Sequence, residues 1–275
     1  MSDEEVFPII FRNLDEIRVR LTRILIVFGI FAAIFLTLRI QEVTLFGHTF
    51  IFLYPNFYHN TAAQFLLLIE NHILPAGTTV FVLKPADGVL ADLDVSMFLA
   101  LLFAMPIIVK EIGEFLGPAL KKREKDALRS AIVPATALFT AGSAIGLWIV
   151  APPLFIIFSG YDLGLGAAES LSLMSFISFT FIYTVTFGIS FEVPVFMVAL
   201  TRTGIVSAKF WEDHWRHAVI GALIFGMIFS PGVIGFTMVV MAVPIIALYM
   251  GGIYFARRAE RKAEAEKVNS ASEIS

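Results

Sequence analysis

The chain of 275 residues is 58 % hydrophobic and only 16 % charged, with a formal net charge of −3 and no cysteine. Its mean hydropathy of +0.83 places it with membrane proteins, because so much apolar surface cannot be hidden in water. The missing cysteine excludes thiol chemistry, disulfides and thiolate metal sites, the charge balance gives no reason to expect a nucleic-acid partner, and no cofactor is implied.

At about 20 apolar residues per spanning helix, the chain has room for six or seven spans and no separate soluble domain. In chain order the apolar runs predict six, at about Leu21 to Ile40, Val95 to Leu116, Ala131 to Ile149, Leu171 to Leu200, Ala218 to Ser230 and Thr237 to Phe255. Acids and arginines precede the first run and no small-residue cleavage site follows it, so the first helix is read as uncleaved. Just before it, in NLDEIRVRL (Asn13 to Leu21), Asn13 and Glu16 fit a capping box and Glu16 with Arg20 an i,i+4 ion pair. Residues 41–94 form the largest loop. It holds one short helical run, Asn60 to His72, and two β-prone stretches, Thr49 to Leu53 and Thr78 to Leu83, suited to pairing as a hairpin. A glycine-rich loop from Val150 to Ser170 opens on Pro152 and Pro153. The fifth run, roughly 14 residues, reaches only about 20 Å, which suits a thinned bilayer or a buried half-length element. Pro106, Pro134, Pro194 and Pro244 lie inside runs and should bend them. The organisation is therefore a single all-α membrane domain, 1–258, and a charged cytoplasmic tail, 259–275, helical at first and then disordered.

Basic residues cluster before the first run, at Lys121 to Arg129, at Arg202 to Arg216 and after Arg257, whereas the alternate loops keep only Arg39 and Lys84. The positive-inside rule then places both termini in the cytoplasm.

Glu192 stands apart as an acid about ten residues, roughly 15 Å, inside the fourth run. Insertion of such a residue costs about 2.5–3.5 kcal/mol even on the lenient scale. It faces a cavity, a partner or an ion path, or else it is a hydrogen-bonded carboxyl that locks helix packing. Glu124, in LKKREKD, reads locally as an acid complementing the dipole of the next helix. His214 and His217 have metal-compatible spacing but no further histidine nearby, and Trp211 and Trp215 make that segment an interfacial anchor. Ser143 in AGSAIG has no intramembrane histidine to activate it, and its small neighbours suit close helix packing.

Together these segments resemble the TatC family of the twin-arginine protein translocase. NLDEIRVRL is similar to that family's HLxELRxRL pattern and carries Leu14, Glu16, Arg18 and Arg20. EFLGPALKKRE resembles its F-x-x-P-x-L-x-x-x-E loop motif, with Phe115, Pro118, Leu120 and Glu124, and GISFEVP resembles its fourth-span motif, with Glu192. Asn13 replaces the family's histidine, Asp94 heads the second span where a basic residue is more typical, and SPGVIGFT, the turn between spans five and six, lacks the polar side chains expected of the family for partner-subunit contact, with Thr237 at its end. The resemblance implies bent helices forming a cupped scaffold in a prokaryotic plasma membrane. It implies a non-enzymatic role in binding twin-arginine signal peptides of folded cargo and scaffolding export driven by the proton-motive force. It also implies Glu16 and Glu124 as the arginine-reading acids, with Arg18, Arg20 and Lys122 as their basic neighbours and Leu14, Phe115 and Pro118 around them. Implied partners are the signal peptide, single-span TatA/TatB-type subunits, further copies of the chain and membrane lipid. The competing reading is an ion-coupled secondary transporter using Glu192.

Overall fold

The computed structural model describes the backbone of residues 3–45, 48–116, 122–167, 170–229 and 235–272, and side chains over 15–42, 52–115, 129–167, 170–229, 235, 238–262 and 264–265. Helix α1 (Asp3–Thr37) opens on Asp3, Glu4 and Glu5, acids that complement the positive end of a helix. It runs unbroken through Asn13, so the expected capping box at Asn13 and Glu16 is not formed; the helix starts ten residues earlier, on those acids.

After Thr37 the backbone turns into a hairpin, β1 (Leu38–Leu45) antiparallel to β2 (His48–Pro55), with Leu38 opposite Pro55 and Leu45 opposite His48. The expected pairing of Thr49–Leu53 with Thr78–Leu83 is therefore replaced by pairing with the segment just before it, for which chain closure is entropically easiest. Helix α2 (Thr61–Ile73) lies within one residue of expectation. Its cap is Asn60, whose side chain accepts from the Ala63 N–H at 2.7 Å. The short strand β3 (Thr79–Phe81) pairs in parallel with β4 (Ser170–Ser172).

Helix α3 (Asp87–Leu116) contains Pro106, and α4 (Lys122–Ile145) contains Pro134. A five-residue π-helical segment, Gly146–Val150, joins α4 to α5 (Ala151–Gly164). The loop expected from Val150 is thus largely helix. Pro152 and Pro153 fall in the first turn of α5, where proline's missing N–H is tolerated, and the π turn absorbs the change of register. Helix α6 (Leu173–Phe191) and α7 (Val193–Arg202) are separated by the single residue Glu192, because Pro194 cannot continue the hydrogen-bond ladder. Then come α8 (Ala208–Asp213), capped by Ser207, α9 (Trp215–Phe229) and α10 (Gly235–Ser272), which contains Pro244. Helix α10 runs on into the tail over residues 259–267, a stretch of high helix propensity, and ends at Ser272.

Among the described residues, five helical stretches are long and apolar enough to cross a membrane: Asp15–Thr37, Asp87–Phe115, Arg129–Gly164, Leu173–Arg202 and Met238–Lys262. The shorter apolar helix Trp215–Phe229 is the sixth, at about 1.5 Å per residue well short of a hydrocarbon layer about 30 Å thick.

The chain divides into two compact units. The first, Met1–Phe115 with Ala144–Val185, is organised around Leu66, Ile69 and Ile73 of α2, Val95 and Phe98 of α3, Phe155 of α5 and Phe176, Ile177 and Phe181 of α6. Their rings interlock, with centroids 4.6 Å apart for Phe98 and Phe181 and 5.3 Å for Phe155 and Phe176. In the second unit, Leu116–Ser143 with Thr186–Ser275, small residues set the helix spacing. A Cβ on Gly188 would stand 2.7 Å from Phe139 Cε2, one on Gly142 2.5 Å from Phe191 Cγ, and one on Gly226 2.6 Å from the Met238 carbonyl oxygen. Buried Ser143 lies against Gly188 and its Oγ has no hydrogen-bond partner among the described residues. That arrangement favours the packing role expected for it.

Candidate functional site

Glu16, Arg20 and Arg23 are spaced i, i+4 and i+7 on α1 and so share one face. Glu111 and Glu114 are i and i+3 on α3, in its last two turns. Acids at a helix C-terminus work against the macrodipole and need cations nearby; α1 supplies them. Arg20 donates from Nε and Nη2 to Glu16 Oε1 at 3.1 and 2.8 Å, and from Nη1 to Glu111 Oε2 at 3.1 Å and Glu114 Oε2 at 3.0 Å. Arg23 Nη1 donates to Glu111 Oε1 at 2.6 Å, and Lys110 Nζ stands 3.8 Å from Glu114 Oε1.

Burial grades this network. The Glu111 side chain is 1 % exposed, Arg20 20 %, Glu16 33 % and Glu114 38 %. Glu111 is thus a buried carboxylate with a guanidinium on each oxygen, the condition under which a buried charge is tolerated. Glu16 and Glu114 lie nearer solvent and share the same arginine. A planar guanidinium bridging separate carboxylates by directed hydrogen bonds is a geometry that an ammonium point charge cannot reproduce.

Of the residues expected at a site, the structure brings Glu16 and Arg20 together, leaves Arg18 exposed without an ion pair among the described residues, and places Phe115, 40 % exposed, beside Glu114 at the end of α3. Pro118 lies outside the described residues, as do the side chains of Leu14, Lys122 and Glu124, although α4 carries Lys122 and Glu124 in its first turn. The turn 230–234, within SPGVIGFT, is outside them too. Asp94 accepts from Ser178 Oγ at 3.3 Å. Glu111, Glu114 and Arg23 were missed from sequence; the signal available was EIGE itself, two acids on one face at the wrong end of an apolar helix.

Glu192 occupies the break between α6 and α7. Its N–H donates to Ile189 O at 3.0 Å and its own carbonyl accepts from Phe196 N–H at 2.9 Å. Its Oε1 is buried with no hydrogen-bond partner among the described residues. Near α8, Trp211 Nε1 donates to Thr201 Oγ1 at 3.1 Å and Tyr249 OH donates to Trp211 O at 2.8 Å. Arg257 Nε donates to Glu212, which holds that carboxyl below the usual carboxylate range. His214 engages Phe210 O at 2.8 Å, and among the described residues no group of three potential ligands could hold a metal.

These features define a polytopic membrane protein in which a charged cluster, at the meeting of α1 and α3, pairs Glu16, Glu111 and Glu114 with the guanidinium groups of Arg20 and Arg23. Residues 12–244 match the family model for "Sec-independent protein translocase protein (TatC)". The chain is 34 % identical over 253 residues to the TatC protein of Cenarchaeum symbiosum, covering 91 % of this chain and 95 % of that one. It is 28 % identical to the TatC protein of Escherichia coli K12, covering 94 % and 91 %. A crystal structure of the twin-arginine translocase receptor TatC superposes with a TM-score of 0.69 at 25 % identity, over 90 % of this chain and 99 % of that one. The chain belongs to the TatC family. It is a core subunit of the twin-arginine translocation system, a protein-transport component of the membrane; nothing in these similarities supports the ion-coupled transporter reading of Glu192.

Proposed function

We propose that this subunit recognises twin-arginine signal peptides of folded cargo at the α1 face bearing Glu16, together with Glu124 of α4. Leu14, Arg18, Arg20, Phe115, Pro118 and Lys122 belong to the same recognition set by their positions in the family's motifs. The observation that carries the reading is the hold of Glu16 on the Arg20 guanidinium through two donors. An internal arginine occupies Oε1 of the carboxylate that a signal-peptide arginine would engage bidentately, so recognition exchanges one guanidinium for another. Exchange keeps binding reversible, as a receptor that releases its cargo requires.

The asymmetry of basic residues supports a cytoplasmic location for both termini and hence for this face, in a prokaryotic plasma membrane. In this reading the chain works beside TatA/TatB-type single-span subunits and further copies of itself, in lipid thinned around short α9, with transport driven by the proton-motive force. The test is photocrosslinking of a signal peptide carrying Arg-Arg, or Lys-Lys in its place, to the full chain in detergent. Preferential labelling by Arg-Arg, lost in Glu16→Ala plus Glu124→Ala, is expected. Equal labelling by both peptides, or labelling indifferent to the double substitution, would refute the reading.

A further inference from the structure

We infer that Glu114 and Glu111 are positioning residues for signal-peptide recognition: they hold Arg20 by its far edge, so that it can release Glu16 without leaving the cluster. The inference rests on the reading of Glu16 as a peptide-binding acid. The Arg20 guanidinium is divided between two sides. Nε and Nη2 face Glu16, at 3.1 and 2.8 Å, whereas Nη1 faces α3, where it bridges Glu111 at 3.1 Å and Glu114 at 3.0 Å. Bidentate engagement by an incoming arginine takes both Glu16 oxygens, including Oε1, which Nε and Nη2 now share. If Glu16 were the sole partner of Arg20, displacement would leave a partly buried guanidinium without any acceptor, a penalty that would oppose binding. With two more carboxylates on Nη1, Arg20 keeps charge-assisted hydrogen bonds while it yields.

The two α3 acids do unequal work. Glu111 is 1 % exposed and its other oxygen is held by Arg23 at 2.6 Å, so it is a fixed post. Glu114, 38 % exposed and only loosely approached by Lys110 at 3.8 Å, is the adjustable partner. Removing the Glu114 charge leaves Arg20 leaning more heavily on Glu16, in competition with the peptide. Removing Arg20 abolishes the competition, after which Glu114 has nothing to hold.

Binding of a fluorescently labelled Arg-Arg signal peptide to the full chain in detergent is measured by anisotropy for the wild type, Glu114→Gln, Arg20→Gln and the double variant, each checked for monodispersity and melting temperature. For one charge-assisted hydrogen bond made or broken, a change of about tenfold is expected. Glu114→Gln weakens binding by that factor, Arg20→Gln tightens it, and the double variant binds as Arg20→Gln does. The masking of the Glu114 effect by Arg20→Gln is the signature, since a merely structural loss would persist in both backgrounds. Unchanged affinity in Glu114→Gln overturns the inference, and so does an undiminished loss in the double variant. If wild-type protein fails to prefer Arg-Arg over Lys-Lys, it is the underlying site assignment that falls; a wild-type preference with no Glu114 effect leaves that assignment standing and removes only the positioning role.

Discussion

Replacing Glu111 by Gln keeps the side chain's shape and removes its charge, and the structure allows the consequence to be sized. The carboxylate accepts from Arg20 at 3.1 Å and from Arg23 at 2.6 Å while almost wholly buried. An amide offers one acceptor and turns N–H donors toward the second guanidinium, so at least one of the two interactions becomes repulsive. Two hydrogen bonds to charged groups represent about 3–6 kcal/mol gross. Much of this is recoverable: Arg23, 52 % exposed, rotates into water, and Arg20 keeps Glu16 and Glu114. The remaining loss is about 2 kcal/mol, the order expected when a buried charge pair is broken but its partners find alternatives. At about 2–4 °C per kcal/mol for a chain of this size class, thermal unfolding in detergent, followed by tryptophan fluorescence, should shift down by about 4–8 °C. Glu16→Gln, at the more exposed end of the same network, should shift it by less, in keeping with the small contribution of exposed pairs. A Glu111→Gln protein that melts with the wild type, or a Glu16→Gln protein that melts lower than Glu111→Gln, would refute the assignment of Glu111 as the buried post of the cluster.

Three further outcomes are expected. Ser143→Ala should leave both melting temperature and export of a twin-arginine reporter unchanged within error, because Oγ forfeits no hydrogen bond to the described residues; loss of export would give the hydroxyl a role that its packing does not. Gly188→Ala should destabilise by about 1–3 kcal/mol, the usual range for overpacking, since its methyl would meet buried Phe139 at 2.7 Å, and a melting temperature equal to wild type would show that the α4–α6 packing yields to an added methyl. Glu192→Gln should retain peptide binding at Glu16 yet impair export in cells, and undiminished export would make this carboxyl structural.

The parts of the fold legible in the sequence are those decided locally. Hydropathy alone located the six apolar helices, and the length of the apolar run Asn60 to His72 placed α2 within a residue. Pairing was less legible. Thr49–Leu53 has the composition of a strand, but composition does not choose between Leu38–Leu45 and Thr78–Leu83 as partner; closure of a short connection does. Pro152 and Pro153 looked like a chain terminator, yet the same residues suit the first turn of a new helix once a π turn precedes them. At the candidate site the i,i+4 pair of Glu16 and Arg20 could be read from spacing. Its extension to Glu114 could not, because Arg20 and Glu114 are 94 residues apart and meet only when α1 and α3 pack.

Glu111 and Glu192 are treated in opposite ways, and the difference follows from their surroundings. Glu111 sits near the C-terminal end of α3, where the helix dipole disfavours a negative charge, so its carboxylate must draw compensation from another element, and it takes two arginines from α1. Glu192 sits where Pro194 interrupts the ladder, at a residue whose N–H reaches back only to Ile189, and no described cation approaches its buried Oε1. A paired acid at a helix end stabilises by joining two helices. An unpaired one within a span opposes insertion by a few kcal/mol and offsets nothing within the described structure. Folding therefore accounts for Glu111, and its removal should register as lost stability. It does not account for Glu192, whose buried Oε1 has no partner among the described residues, and that is why the two substitutions are expected to separate, one in a melting curve and the other in export.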